Sequence, residues 1–169
     1  METPGTVRRL DDMGRLVIPK PMRKILRWHG GDPILLTLRG RDSLLLHSYP
    51  LMQALRPLAA DYADAFYTTY QAPVAICDRE LVLVHRGFGL AGQPPISDRV
   101  RALLESDPPP EEVVSFPLQE GCNPSVIVFL PIRGHSIAGG ILLGAGSTYP
   151  KETLMEAGRL LARMIEAQL

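Results

Sequence analysis

The alternation of apolar and polar residues near the start of the chain predicts a short hairpin followed by a helix. Residues 5–10 and 15–18 have the composition of strands, and the acidic residues and Gly14 between them suit a tight turn. Pro19 closes the second strand, because it has no amide hydrogen with which to continue a ladder. A helix is then expected from Lys20 to Trp28.

A second hairpin is predicted directly after this helix. Residues 30–33 (GGDP) are expected to end the helix, and residues 34–38 and 43–47 favour strands around a turn at residues 39–42. A ββαββ segment of this length holds little material for a core, and its sequence offers neither a disulfide nor a metal site. We therefore expect the segment to be stabilised by dimerisation.

Between Tyr49 and Tyr70 the pattern is helical, and Pro57 is expected to kink or restart the helix. Large apolar residues recur there at steps of three and four, which makes a heptad-like seam. They are Leu51, Leu55, Leu58, Tyr62 and Phe66. Two interpretations stay open: the helix packs on the sheet of its own domain, or it also pairs with its copy in a second subunit and couples two domains.

Beyond Ala72, strand and helix signals alternate as in an α+β domain with an antiparallel sheet and packed helices. Strands are predicted at residues 73–77, 81–85, 113–118, 125–132 and 136–144. Helices are predicted at residues 97–106, with Ser97 as the N-cap, and at residues 150–167. The side chains expected to face the sheet are Val100, Leu103 and Leu104 of the first helix and Leu154, Ala157, Leu161, Met164 and Ile165 of the second.

Composition excludes several classes of protein. The chain has 169 residues, of which 46% are hydrophobic and 21% charged, so it is typical of a globular protein with one ordinary domain or two small ones. Its apolar runs are too short to span a bilayer, and its first residues contain no apolar signal segment. We expect a cytoplasmic protein that does not contact membranes.

Residues that could carry catalysis are scattered. None of the four histidines has a nucleophile or carboxylate at triad or ligand spacing. The four are His29, His47, His85, which is expected in a strand, and His135, which is expected in a turn. Cys77 and Cys122 lack the paired spacing of a zinc site, so Cys77 is interpreted as a small buried residue and Cys122 as an ordinary loop residue. We expect no enzyme activity, no catalytic residues, no metal and no cofactor.

Charge is segregated along the chain although the total is zero. Residues 1–49 carry nine basic and five acidic side chains, a net charge of +4, and residues 50–169 carry −4. On the predicted helix, an arc of about 100° holds the cations and the opposite arc holds the large apolar residues. The cations are Lys20, Arg23, Lys24 and Arg27, and the apolar residues are Met22, Ile25 and Leu26.

No acidic residue occurs between Asp12 and Asp32, so these cations have no neighbours of opposite charge in the sequence. Arg8, Arg9 and Arg15 add three more cations on the predicted strands. Because unpaired like charges repel each other, we expect nucleic-acid phosphates to neutralise them.

A family resemblance accompanies this pattern. The run from Gly5 to Pro19 (GTVRRLDDMGRLVIP), followed by residues 22–26 (MRKIL), resembles the DNA-binding domain of AbrB-type transition-state regulators. Residues 61–65 (DYADA) and 76–79 (ICDR) resemble the sporulation-type members, in which a GAF-like domain follows the DNA-binding one. After Glu80 the resemblance rests on the order of elements.

The resemblance implies a swapped-hairpin dimer, in which two ββαββ segments interleave into one small β-barrel that binds double-stranded DNA. Positions that match the family's DNA contacts are Arg8, Arg15, Arg23 and Lys24, and weaker candidates are Arg9, Lys20 and Arg27. Lys24 departs from the arginine usual at its position, so a phosphate contact is expected there rather than bidentate reading of a base.

These observations give a domain plan and a functional hypothesis. Residues 1–49 are expected to be the DNA-binding domain, residues 50–70 a linker or dimerisation helix, and residues 71–169 a GAF-like domain. The resemblance implies a regulator of sporulation or transition-state genes, associated with the nucleoid, that forms a dimer or tetramer. Its second domain is expected to serve oligomerisation or sensing, and whether that domain binds a small-molecule ligand stays open. The alternatives are an antitoxin-like swapped-hairpin protein that binds a partner protein, and a small-molecule-binding GAF protein.

Overall fold

The computed structural model describes residues 5–134 and 136–169, and for residues 112–114 it describes the backbone alone. The interpretations of His135 and of the first four residues therefore lie outside the described residues. The helices are α1 (Lys20–Ile25), α2 (Leu51–Ala54), α3 (Arg56–Tyr70), α4 (Asp98–Leu104) and α5 (Lys151–Glu166). The strands are β1 (Ile34–Arg39), β2 (Ser43–Ser48), β3 (Val74–Cys77), β4 (Val82–Arg86), β5 (Glu112–Pro117), β6 (Ser125–Arg133) and β7 (Ile137–Gly144).

Residues 5–49, called here the basic segment, contain one hairpin rather than two. The pair β1 and β2 is antiparallel with Leu36 opposite Leu46, as predicted. The predicted strands at residues 5–10 and 15–18 are absent, although the turn between them forms. A strand needs a neighbour to pair with, and Val7 and Val17 are 91% and 75% exposed, so this chain alone supplies neither partner nor cover.

The helix α1 ends at Ile25, earlier than the predicted end at Trp28. Arg27 has φ of 55°, and two backbone bonds close the helix end: Arg27 N–H to the Lys24 carbonyl, and Trp28 N–H to the Arg23 carbonyl. This is the Schellman arrangement, with an arginine in the position that glycine usually takes. The indole of Trp28 turns inward and donates to Ser48 Oγ at 2.7 Å, which attaches the helix end to β2.

The predicted helical stretch after β2 is confirmed, with a break at Leu55 just before Pro57. Its buried face differs from the predicted seam, because the most buried positions include two alanines. Met52, Ala59, Ala63 and Phe66 lie in the core, whereas Leu51, Leu55, Leu58 and Tyr62 of the predicted seam are half-buried. Ala63 is fully buried, so α3 packs on the sheet partly through small side chains.

The C-terminal unit, residues 72–169, contains an antiparallel sheet of five strands in the order β4-β3-β7-β6-β5. Successive residues of β3 point to opposite faces, so Ile76 lies under α3 and α5 while Cys77 lies under α4. The prediction of an α+β arrangement is confirmed for this part of the chain. Burial also raises the pKa of the Cys77 thiol to about 12, which keeps it unreactive.

The helices of this unit pack nearly as predicted. Ser97 caps α4 by accepting from Val100 N–H, and the three predicted side chains of α4 are buried. On α5, Leu154, Leu161 and Ile165 are buried, but Met164 is 39% exposed and that prediction is wrong. Met155 and Ala162 occupy the core instead, because the buried stripe of α5 turns away from position 164.

Candidate nucleic-acid interface

The predicted DNA-binding cations lie on three parts of the basic segment. Arg8 and Arg9 precede the first turn, Arg15 follows it, and Lys20, Arg23 and Lys24 lie on α1. All of them are exposed except Arg23, which is half-buried. Within the described residues, the side chains of Arg8, Arg9, Lys20 and Lys24 make no hydrogen bond or ion pair, so their charges are open to a ligand.

The turn between the arginines is organised by Asp11. Its Oδ1 accepts from the amides of Met13 and Arg15 at 3.0 and 2.8 Å, and its Oδ2 accepts from Arg15 Nε at 2.7 Å. Gly14 completes the turn with φ of 74°, a conformation that suits glycine. The Arg15 amide and guanidinium hold the pKa of the Asp11 carboxyl below its usual range. Arg15 is therefore directed by the acidic turn while three quarters of its side chain stays exposed.

Arg23 is held more firmly than the other cations of α1. Its Nε donates to the Ile18 carbonyl at 3.2 Å, across the proline that separates the extended residues from the helix. This bond fixes the start of α1 against the end of the preceding segment. A guanidinium has five donor hydrogens, so Arg23 keeps others for a phosphate.

Arg27 differs from the prediction that placed it with the helix cations. It follows the end of α1 in a left-handed conformation, and its Nη1 lies 3.3 Å from Glu80 Oε1 of the C-terminal unit. Its side chain is 53% exposed, so a phosphate could still reach it. The prediction placed Arg27 on the same arc of the helix as Lys20. The helix ends at Ile25, so Arg27 lies outside it.

The basic segment exposes an unusual amount of apolar surface. Of the sixteen large apolar side chains exposed among the described ones, thirteen belong to residues 5–49. Within that range the single buried apolar side chain is Trp28. Scattered exposed apolar residues are ordinary, but so many of them within one segment are an unusual concentration. The segment therefore combines free cations with an uncovered apolar surface.

One cluster that includes a residue of the basic segment was not foreseen from the sequence. The carboxylate of Asp32 faces Arg79, with Nη1 to Oδ2 at 2.9 Å and Nη2 to Oδ1 at 3.3 Å, and it accepts from Ser136 Oγ at 2.6 Å. Burial alone would raise the pKa of Asp32, but the bonds from Arg79, Ser136 and the His29 amide outweigh burial and lower it to about 2. Asp32 was interpreted as part of a helix stop, and no spacing rule connects it with Arg79.

Within residues 5–134 and 136–169, no helix has the length and apolarity that crossing a bilayer requires. No model of a known protein family matches this chain. Stage V sporulation protein T of Bacillus subtilis (strain 168) is 39% identical to it over 87 residues, which are 52% of this chain and 49% of that relative. The match thus spans about half of the relative's length. It supports a relationship between this chain and AbrB-type proteins like stage V sporulation protein T.

Proposed function

We propose that the chain is a DNA-binding transcriptional regulator of sporulation or transition-state genes, which acts as a homo-oligomer on the nucleoid in the cytoplasm. The observation that carries this proposal is the composition of the basic segment. Its cations are for the most part exposed and unpaired, although Glu80 of the C-terminal unit pairs with one of them, Arg27. Similarity to a sporulation protein supports the same assignment.

The contact set follows from exposure and local order. Arg8 and Arg15 flank the turn that Asp11 organises, and Arg23 and Lys24 lie on α1. Side chains on a turn and a short helix suit contacts to phosphates and to the shape of a groove, more than base reading by one long recognition helix. Arg9 and Lys20 add charge nearby.

Oligomerisation explains the exposed apolar surface. A second copy of the basic segment would offer both strand partners for residues 5–18 and apolar cover for Val7, Val17 and Leu38. An isologous interface of this kind displays the cations twice, on both sides of a two-fold axis. The C-terminal unit contributes a stable body that can hold two such segments together or respond to a signal.

A titration of double-stranded DNA at rising salt tests the proposal. The logarithm of the affinity should fall linearly with the logarithm of the salt concentration, because phosphate contacts release counterions. Arg15→Ala and Arg23→Ala should each weaken binding and reduce the slope by about one, with the fold retained.

The matched control is Arg163→Ala, which removes one exposed arginine from α5 of the C-terminal unit. It should leave affinity and slope unchanged. Binding that is absent, or that responds equally to Arg163→Ala and Arg15→Ala, would contradict the proposal. Retention of a partner protein without DNA binding would favour the antitoxin-like alternative.

A further inference from the structure

We propose that Arg79, together with Asp32 and Ser136, is a positioning site for DNA binding, which fixes the basic helix α1 in its orientation relative to the C-terminal unit. This inference rests on the proposed function. None of the three residues belongs to the contact set, and Arg79 and Ser136 lie in the C-terminal unit. The site acts on DNA binding through the placement of α1 and makes no contact with DNA.

The geometry around Arg79 is that of a fixed donor. Besides the two bonds to Asp32, its Nη2 donates to Ser136 Oγ at 2.5 Å and its Nε donates to the Ile137 carbonyl at 2.6 Å. Its side chain is 31% exposed and that of Asp32 is 11% exposed, so solvent screens the pair less than it screens a surface ion pair. A bidentate arginine–carboxylate pair also specifies an orientation as well as a distance.

The turn that carries Arg79 is itself ordered. Asp78 Oδ1 accepts from the amides of Glu80 and Leu81 at 2.7 and 2.6 Å, which closes the connection between β3 and β4. Ser136 directly precedes β7, the strand that pairs with β3. The two donors to Asp32 therefore lie in loops that adjoin β3 and β7, two strands that pair in one sheet.

On the other side, Asp32 is connected to α1 through a short run of backbone bonds. The His29 amide donates to Asp32 Oδ2 at 2.8 Å, and the Asp32 amide donates to the His29 carbonyl at 3.3 Å. Trp28 N–H then bonds the Arg23 carbonyl inside the Schellman closure. These bonds restrict the backbone between the end of α1 and the carboxylate that the C-terminal unit holds.

Glu80 makes a second, weaker tie between the basic segment and the C-terminal unit. Glu80 lies between Arg27 at 3.3 Å and Arg101 at 3.6 Å, but its side chain is 62% exposed. Exposed pairs of this type contribute little. The Asp32 cluster is therefore the tie whose removal should matter.

The consequence for binding is a saving of conformational entropy. A helix that is already oriented loses less freedom when DNA orders it, and an oligomer presents its copies at a fixed separation. Loosening the tie should weaken binding while the number of phosphate contacts stays the same.

The test compares full-length variants on one fluorescently labelled DNA duplex, titrated at several salt concentrations. Arg79→Ala should weaken binding about tenfold with an unchanged salt slope, because ordering is lost and phosphate contacts are not. Asp32→Asn should weaken binding in the same way. Simple electrostatics predicts the opposite sign for Asp32→Asn, since the variant removes a negative charge from the basic segment.

The matched control is Arg86→Ala. Arg86 also makes a two-pronged pair with a carboxylate, Asp64, but this pair joins β4 to α3 and does not touch the basic segment. The variant should leave affinity and slope unchanged. Hydrogen exchange provides the second readout: in Arg79→Ala the amides of His29 and Asp32 should exchange faster, while those of β3 and β7 keep their protection.

Results other than these contradict either the proposed function or the role proposed for Arg79. A wild-type chain that does not bind the duplex overturns the proposed function and this inference with it. If the wild type binds but Arg79→Ala and Asp32→Asn bind equally well, only the inference falls. A salt slope reduced by about one in Arg79→Ala would make Arg79 a phosphate contact instead, and equal weakening in Arg86→Ala would indicate general destabilisation.

Discussion

The basic segment and the C-terminal unit use apolar residues in opposite ways. In the C-terminal unit, side chains such as Ile76, Phe129 and Leu142 are fully buried on the two faces of one sheet. In the basic segment, leucines and valines of β1 and of the extended residues remain exposed, and Leu38 is 77% accessible. The comparison shows where the chain completes a core by itself and where its apolar residues stay uncovered. It also separates the part with an excess of basic residues from the part with the buried core.

The largest expected effect tests whether the C-terminal core holds the single chain together. Phe129 is fully buried between α4 and the sheet, so Phe129→Ala should lower the free energy of unfolding by about 3–5 kcal/mol. The comparison variant, Leu38→Ala, truncates an apolar side chain that is exposed in the single chain. Thermal unfolding at several protein concentrations measures both.

Phe129→Ala should lower the melting temperature at every concentration, and Leu38→Ala should act in proportion to the population of the oligomer. If Leu38→Ala destabilised a dilute, monomeric sample as much as Phe129→Ala, the contrast between the two regions would be false.

The next effect concerns the second copy that we propose covers the basic segment. Val17→Asp places a carboxylate on a surface that we propose a second copy covers, and an unpaired charge there must lose its hydration. The dimer dissociation constant should rise by at least about a hundredfold, because each of two copies contributes a penalty. Sedimentation equilibrium gives the constant.

Leu160→Asp is the companion substitution, since Leu160 is 62% exposed on α5 of the C-terminal unit. Leu160→Asp should leave the dimer dissociation constant unchanged. A wild-type chain that is a stable monomer at micromolar concentration would remove the argument for a shared barrel.

The smallest effect tests the tie between the two regions. The pKa of Asp32 is lowered from 3.8 to about 2, so its stabilisation is present above about pH 4 and is lost as the pH falls through about 2. Over this interval the wild-type free energy of unfolding should fall by about 2 kcal/mol more than that of Asp32→Asn, which has no carboxyl to protonate. Equal acid sensitivity in the two proteins would show that the carboxylate is not stabilised in the folded state. Denaturant titrations at each pH provide the comparison.

The sequence predicted those elements whose causes are local. The strands of the C-terminal sheet follow from apolar runs bounded by turn residues, and the cap at Ser97 follows from its hydroxyl before an apolar helix. The hairpin of β1 and β2 was predicted to within one residue at each strand end. In these places the neighbour that stabilises the element is close in sequence.

Other features depend on tertiary contacts and were missed for that reason. The buried face of α3 was assigned by the spacing of its large apolar residues, whereas two of its most buried residues are Ala59 and Ala63. The Asp32 cluster joins residues from three distant loops, so no periodicity or spacing announces it. The candidate contacts Arg8, Arg15, Arg23 and Lys24 remain a prediction, supported by their exposure and position.

Arg27 shows a compromise between conformation and charge. Its φ of 55° is one that an L-residue with a β-carbon adopts at a cost of the order of 1 kcal/mol, and glycine would adopt it freely. A glycine at this position would relax the backbone but would remove the guanidinium that meets Glu80. The two changes oppose each other, although the exposed Arg27–Glu80 pair contributes little, so a glycine here would weaken the connection between the regions only slightly. The backbone conformation at Arg27 and the contact with Glu80 thus place competing demands on one residue.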